Sequence, residues 1–143
     1  MENLSINKLN HFLRGELSAV EAYADAITKL KDDAARSQVQ QCEESHRSRA
    51  VLLRERIQHL GGEPSASSGP EGAFARIAEA AASLFGDKAI INALEQGEDK
   101  GLRDYKQQLP DLEAEAVEGI ADRLLAEQQR THELMSQLQT SAR

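Results

Sequence analysis

The chain has 143 residues, 17 lysines and arginines against 24 aspartates and glutamates, and a formal net charge of −7 with its four histidines neutral. A single cysteine, Cys42, excludes an internal disulfide scaffold and a thiolate zinc module, and the acidic balance argues against a nucleic-acid partner. No stretch nears the ~20 apolar residues of a membrane span, so no membrane association is expected. MENLSINKLNHFL has no basic segment leading into a continuous apolar run, which makes the cytoplasm the expected location. The length suits one domain over residues 1–143, large enough for a core without disulfides.

Helix formers dominate and prolines are three (Pro64, Pro70, Pro110), so the fold class is all-α. The first helix is expected at about 5–31, capped by Ser5, with Leu9, Phe12, Leu13, Glu16, Val20, Tyr23, Ile27 and Leu30 at steps of three and four. After a short turn, the second runs over about 34–60 through Val39, Cys42, His46, Ala50, Leu53, Ile57 and Leu60, and Gly61-Gly62 ends it. A crossover over 61–86 follows, opening with the turn-rich GGEPSASSGPEG and carrying a short helix at 73–86. The third long helix, about 87–109, starts at Asp87 as its cap and passes through Ile91, Leu94, Glu98, Leu102 and Tyr105. LPD (109–111) breaks the chain, and Asp111 caps a fourth helix at about 111–139 through Leu124, Gln128, His132, Met135 and Leu138. Two short turns and one long crossover give the ferritin-like antiparallel four-helix bundle; an up-down-up-down bundle is the alternative.

Polar residues interrupt these apolar stripes. Glu16 lies four residues from both Phe12 and Val20, and Glu98 four from both Leu94 and Leu102. A carboxylate facing a core must be paired, hydrogen-bonded or metal-bound. Each is followed seven residues later by one of the chain's two tyrosines, Tyr23 and Tyr105, two turns along the same face and able to donate to a nearby carboxylate. Glu43-x-x-His46 puts a carboxylate and an imidazole on one face of the second helix, and the fourth helix offers Gln129-x-x-His132. One Glu from each of two helices plus Glu-x-x-His from each of the other two is the ligand set of di-iron and di-manganese bundles. The candidate metal ligands are therefore Glu16, Glu43, His46, Glu98 and His132, with Gln129 and Glu95 as weak or substitute ligands and Tyr23 and Tyr105 behind them. Glutamine neither bridges two ions well nor offsets their charge, so one metal is better supported than two.

HFLRGELSAVEAY (11–23), LGGEP (60–64) and ALEQGEDKGLRDY (93–105) resemble the bacterial ferritin-like family known as domain of unknown function 2383. The paired Glu-x6-Tyr helices are also similar to rubrerythrin-type sites. The resemblance spans nearly the whole chain and implies a ferritin-like bundle, with the same five ligands and two tyrosines at the matching positions.

Two function classes follow. In the first, the bundle binds iron (one or two ions) or manganese and supports Fe(II) oxidation by O2 or peroxide, or buffers metal. In the second, the polar residues form a buried hydrogen-bond network without a cofactor, and the chain is a structural or interaction module; whether it is an enzyme stays open. A homodimer or small homo-oligomer is the expected assembly. Cys42 reads as a small buried hydrophobe, His11 and His59 as surface or boundary residues, and Arg47, Arg49, Arg54 and Arg56 as a solvated charged flank.

Overall fold

A computed structural model describes residues 3–69 and 86–141. Four long helices are joined at their ends: α1 (Leu4–Lys29), α2 (Asp33–His59), α3 (Asp87–Gln108) and, after a one-turn α4 (Ala114–Val117), α5 (Ala121–Ser141). There is no strand among the described residues. The helix expected at 73–86 lies outside the described residues except for Gly86.

The helices start and stop where local chemistry directs, with some corrections to the sequence reading. Asn3, not Ser5, caps α1, its side chain accepting from the Ile6 amide. Asp32 caps α2 through the Ala35 amide. Asp87 is the first residue of α3 and not its cap; its carboxylate accepts from the Lys31 and Asp32 amides at 2.9 Å each. That contact ties the start of α3 to the turn between α1 and α2. The expected continuous helix over 111–139 is broken. Leu109–Asp111 forms a 3-10 turn carrying Pro110, and Gly119 adopts φ 84° between α4 and α5. A positive φ is left-handed backbone that glycine enters without a Cβ clash, and it cannot continue a right-handed helix.

The cross-bundle contacts fix the topology. Glu16 pairs with Tyr105 and Tyr23 with Glu98, so α1 and α3 run antiparallel. Arg56 reaches the carbonyls of Glu115 and Ala116, while Arg49 meets Gln128 and Thr131, so the chain after α3 climbs antiparallel to α2. The order is up, down, down, up. α2 therefore ends and α3 begins at opposite ends of the bundle, the connectivity of a ferritin-like long crossover. Its first part lies along α1: Asn10 exchanges hydrogen bonds with the Glu63 carbonyl and the Ser65 amide, and Ser68 donates to Glu21. A Cβ on Gly62 would come within 2.7 Å of the Ile6 side chain, so a glycine is required where the crossover leaves α2.

Two apolar clusters fill the bundle. One contains Ala22, Leu30, Val39, Ile91, Leu94 and Met135. The other contains Leu9, Phe12, Leu53, Ile57, Leu109 and Leu124. Fully burying such side chains contributes roughly 1.5–3 kcal/mol apiece. Between the two clusters lies a layer that is not apolar.

Candidate functional site

Each long helix sends residues into this layer from its core-facing stripe: Glu16 and Tyr23 from α1, His46 and Arg49 from α2, Glu98 and Tyr105 from α3, Gln128 and Thr131 from α5. All eight are buried, with Glu98 0%, Arg49 2% and His46 1% exposed.

His46 is the hub. Its Nδ1 lies 2.7 Å from Glu16 Oε2 and its Nε2 2.5 Å from Glu98 Oε2. A neutral imidazole carries one N–H, so one nitrogen lone pair would face a carboxylate lone pair; only the imidazolium donates to both. Burial and the nearby Arg49 push the His46 pKa down, but Glu98 and Glu16 outweigh them and hold it above its usual value. For Glu16, burial works against the charge, and Arg49, His46 and the hydrogen bonds from His46 and Tyr105 overcome it, leaving the carboxyl below its usual range. Glu98 is likewise lowered, burial being outweighed by His46, Arg49 and Thr131.

The two tyrosines exchange partners between helices. Tyr23 donates to Glu98 Oε2 at 2.5 Å and Tyr105 to Glu16 Oε1 at 2.8 Å. Burial first, and the neighbouring carboxylate second, push both phenols well above their ordinary pKa, so each is a fixed donor. The Tyr23 ring also stacks on His46 at 5.2 Å between centroids. Cys42 is fully buried; burial first and Glu98 second push its thiol up to about 12, as suits a small core residue.

Arg49 completes the layer. Its guanidinium donates to Gln128 Oε1 and to Thr131 Oγ1, the latter at 3.1 Å, and lies 3.5 Å from Glu16 Oε1. The Thr131 hydroxyl donates to Glu98 Oε1 at 2.6 Å, and Gln128 Nε2 donates to Glu98 Oε1 at 3.0 Å and to the Glu98 carbonyl at 2.9 Å. Gly101 makes room for that amide: a Cβ there would meet Gln128 Nε2 at 2.7 Å. Two carboxylates therefore face two cations, and the layer is neutral. No buried side-chain nitrogen or oxygen lacks a partner among the described residues.

Of the residues the sequence singles out, the structure brings together Glu16, His46, Glu98, Tyr23 and Tyr105. It places Glu43 outside the layer, half-buried and 2.7 Å from Arg47. Gln129 is exposed. Glu95 and His132 are half-buried and approach one another at 3.4 Å, with Asp99 at 3.7 Å from the same imidazole. The i, i+3 pairs that enter the core are thus His46-x-x-Arg49 and Gln128-x-x-Thr131, three residues on in α2 and one residue back in α5 from the expected Glu-x-x-His and Gln-x-x-His pairs. The solvated-flank reading of Arg49 is overturned, because the periodicity that buries His46 also buries a residue one turn later. Its signal was available: position 49 falls between His46 and Leu53 at steps of three and four.

The layer does not fit iron or manganese. Among the described residues no group of three or more His, Cys, Asp or Glu side chains is arranged to hold a metal ion. Both imidazole nitrogens face carboxylates. Arginine stays protonated and has no lone pair to offer a metal.

The family described as domain of unknown function (DUF2383) matches residues 5–111. The chain belongs to that family. The match covers α1, α2 and α3 and ends before α5, which supplies Gln128 and Thr131. No curated protein and no solved structure matches the chain. Among the described residues no helix is long and apolar enough to cross a membrane.

Proposed function

We propose that this DUF2383 protein is a non-enzymatic helical module whose polar layer serves structure, in place of iron or manganese redox chemistry. The observation that carries this reading is the pairing of Glu16 and Glu98 with His46 and Arg49, side-chain cations that neutralise the carboxylates without a cofactor. Five hydrogen bonds of the layer run between the α1/α2 hairpin and the α3/α5 hairpin. A shift of either hairpin along the other would leave buried charges unpaired, at a cost of several kcal/mol. The layer thus selects one register where apolar stripes alone would tolerate sliding.

The test is anaerobic loading of the purified chain with Fe(II) or Mn(II), removal of free ion, and metal analysis beside a Glu16→Ala/Glu98→Ala variant. The folded wild type should retain no more metal than the variant. Stoichiometric metal lost in the variant would contradict the reading.

A further inference from the structure

A groove of about 370 Å³ lies between α2 and α5, at the small end of the range for small-molecule sites. Five charged side chains line it: Glu44 and Arg49 from α2, and Arg123, Glu127 and Arg130 from α5. Three of them are already engaged. Arg49 is held in the polar layer by Gln128, Thr131 and Glu16. Glu127 lies 2.8 Å from Arg130 and accepts from Ser45 Oγ at 3.0 Å. Glu44 and Arg123 remain, one anion and one cation on opposite walls, and neither side chain has a partner among the described residues. The side chains of Gln41 and Ser48, on the same wall as Glu44, are also without one there.

These two charges are offset along the groove. The Ser45–Glu127 hydrogen bond puts Glu44 level with Glu127. Arg123 lies four residues before Glu127 in α5, about 6 Å along the helix axis, toward the end of the groove that holds Leu52 and Leu124. Glu44 and Arg123 thus face the groove diagonally. An α-amino acid, whose ammonium and carboxylate share one carbon, is too short to bridge them, whereas a linear molecule charged at both ends spans the diagonal.

We infer that this groove binds a linear zwitterion, an ω-amino acid with its carboxylate on Arg123, its ammonium on Glu44 and its methylene chain against the apolar wall of Leu52 and Leu124. Arg123 offers the carboxylate a planar pair of donors. The ammonium has three protons, for Glu44, the Gln41 amide oxygen and the Ser48 hydroxyl. Neither Glu44 nor Arg123 belongs to the polar layer, so the site is separate from the network that holds the bundle in register.

The probe is ε-aminocaproate, titrated into the full chain and followed by nitrogen-15 amide NMR, with caproate, hexylamine and glycine as comparisons. The zwitterion should give saturable shifts at residues 41–52 and 123–130, the two walls of the groove. Both charged positions are exposed, so Arg123→Gln and Glu44→Gln should keep the fold, checked by far-ultraviolet circular dichroism. Each should weaken binding about fivefold or more, and so should removing either charge from the ligand. Glycine should give no saturable shift. The inference is overturned if ε-aminocaproate gives no saturable shift on these walls, if either folded variant binds it as well as the wild type, or if caproate, hexylamine or glycine binds as tightly.

Discussion

The α1/α3 pair and the α2/α5 pair build the same layer by different means. α1 and α3 are matched: each supplies a glutamate and, seven residues on, a tyrosine, and each tyrosine serves the other helix's carboxylate. α2 and α5 keep only the i, i+3 spacing. α2 supplies both cations, His46 and Arg49, whereas α5 supplies neutral Gln128 and Thr131. The matched pair sets where negative charge is buried; the unmatched pair decides what neutralises it. That second choice separates a metal centre from a closed salt-bridge network.

The comparison can be broken from either side. The largest effect is expected from Glu98→Ala, which leaves His46 and Arg49 facing Glu16 alone. An uncompensated buried charge should cost about 3–5 kcal/mol, read as a lower urea midpoint. If the loss is near that of an exposed carboxylate such as Asp33, the layer is not a network.

A smaller effect comes from pH, with a definite sign. The His46 pKa is raised above its usual 6.5, so its contribution to stability is fully present below that value and is lost as pH rises through the folded value. Glu16 and Glu98 are held below the usual 4.5; their contribution is present above 4.5 and is lost as pH falls through the folded values. Stability measured by urea unfolding should therefore be highest between these limits. Its alkaline limb should fall by up to about 1.4 kcal/mol per pH unit, one proton's worth, and His46→Gln should flatten it.

The smallest effect separates the two tyrosines. Glu98 also accepts from His46, Gln128 and Thr131, whereas Glu16 without Tyr105 keeps His46 and the more distant Arg49. Tyr105→Phe should cost about 1.5–3 kcal/mol and Tyr23→Phe less. Equal losses in thermal unfolding would show that the two carboxylates are served alike.

Much of this was legible in the sequence. The apolar periodicity gives the four long helices, and the repeated Glu-x6-Tyr marks both carboxylates and both phenols. Helix ends were less legible because single side chains decide them: Asn3 competes with Ser5 as a cap, and Gly119 breaks what reads as one helix. The cations were harder to see. Glu43-x-x-His46 and Gln129-x-x-His132 match a known ligand pattern, yet a shift of one residue turns a helix face by about 100°, enough to put Gln128 inside and Gln129 in solvent. Arg49 sits among other arginines and shares their composition but not their face. Two carboxylates on apolar stripes require compensating charge, and asking which cation shares a stripe with His46 leads to Arg49.

The central claim is that side-chain cations hold this layer together. Nitrogen-15 NMR of the His46 ring in the folded protein tests it most directly. The account predicts both ring nitrogens protonated at pH 7 in the wild type, because each faces a carboxylate and the two carboxylates raise the His46 pKa. A neutral His46 ring at pH 7, carrying a single N–H, would contradict it.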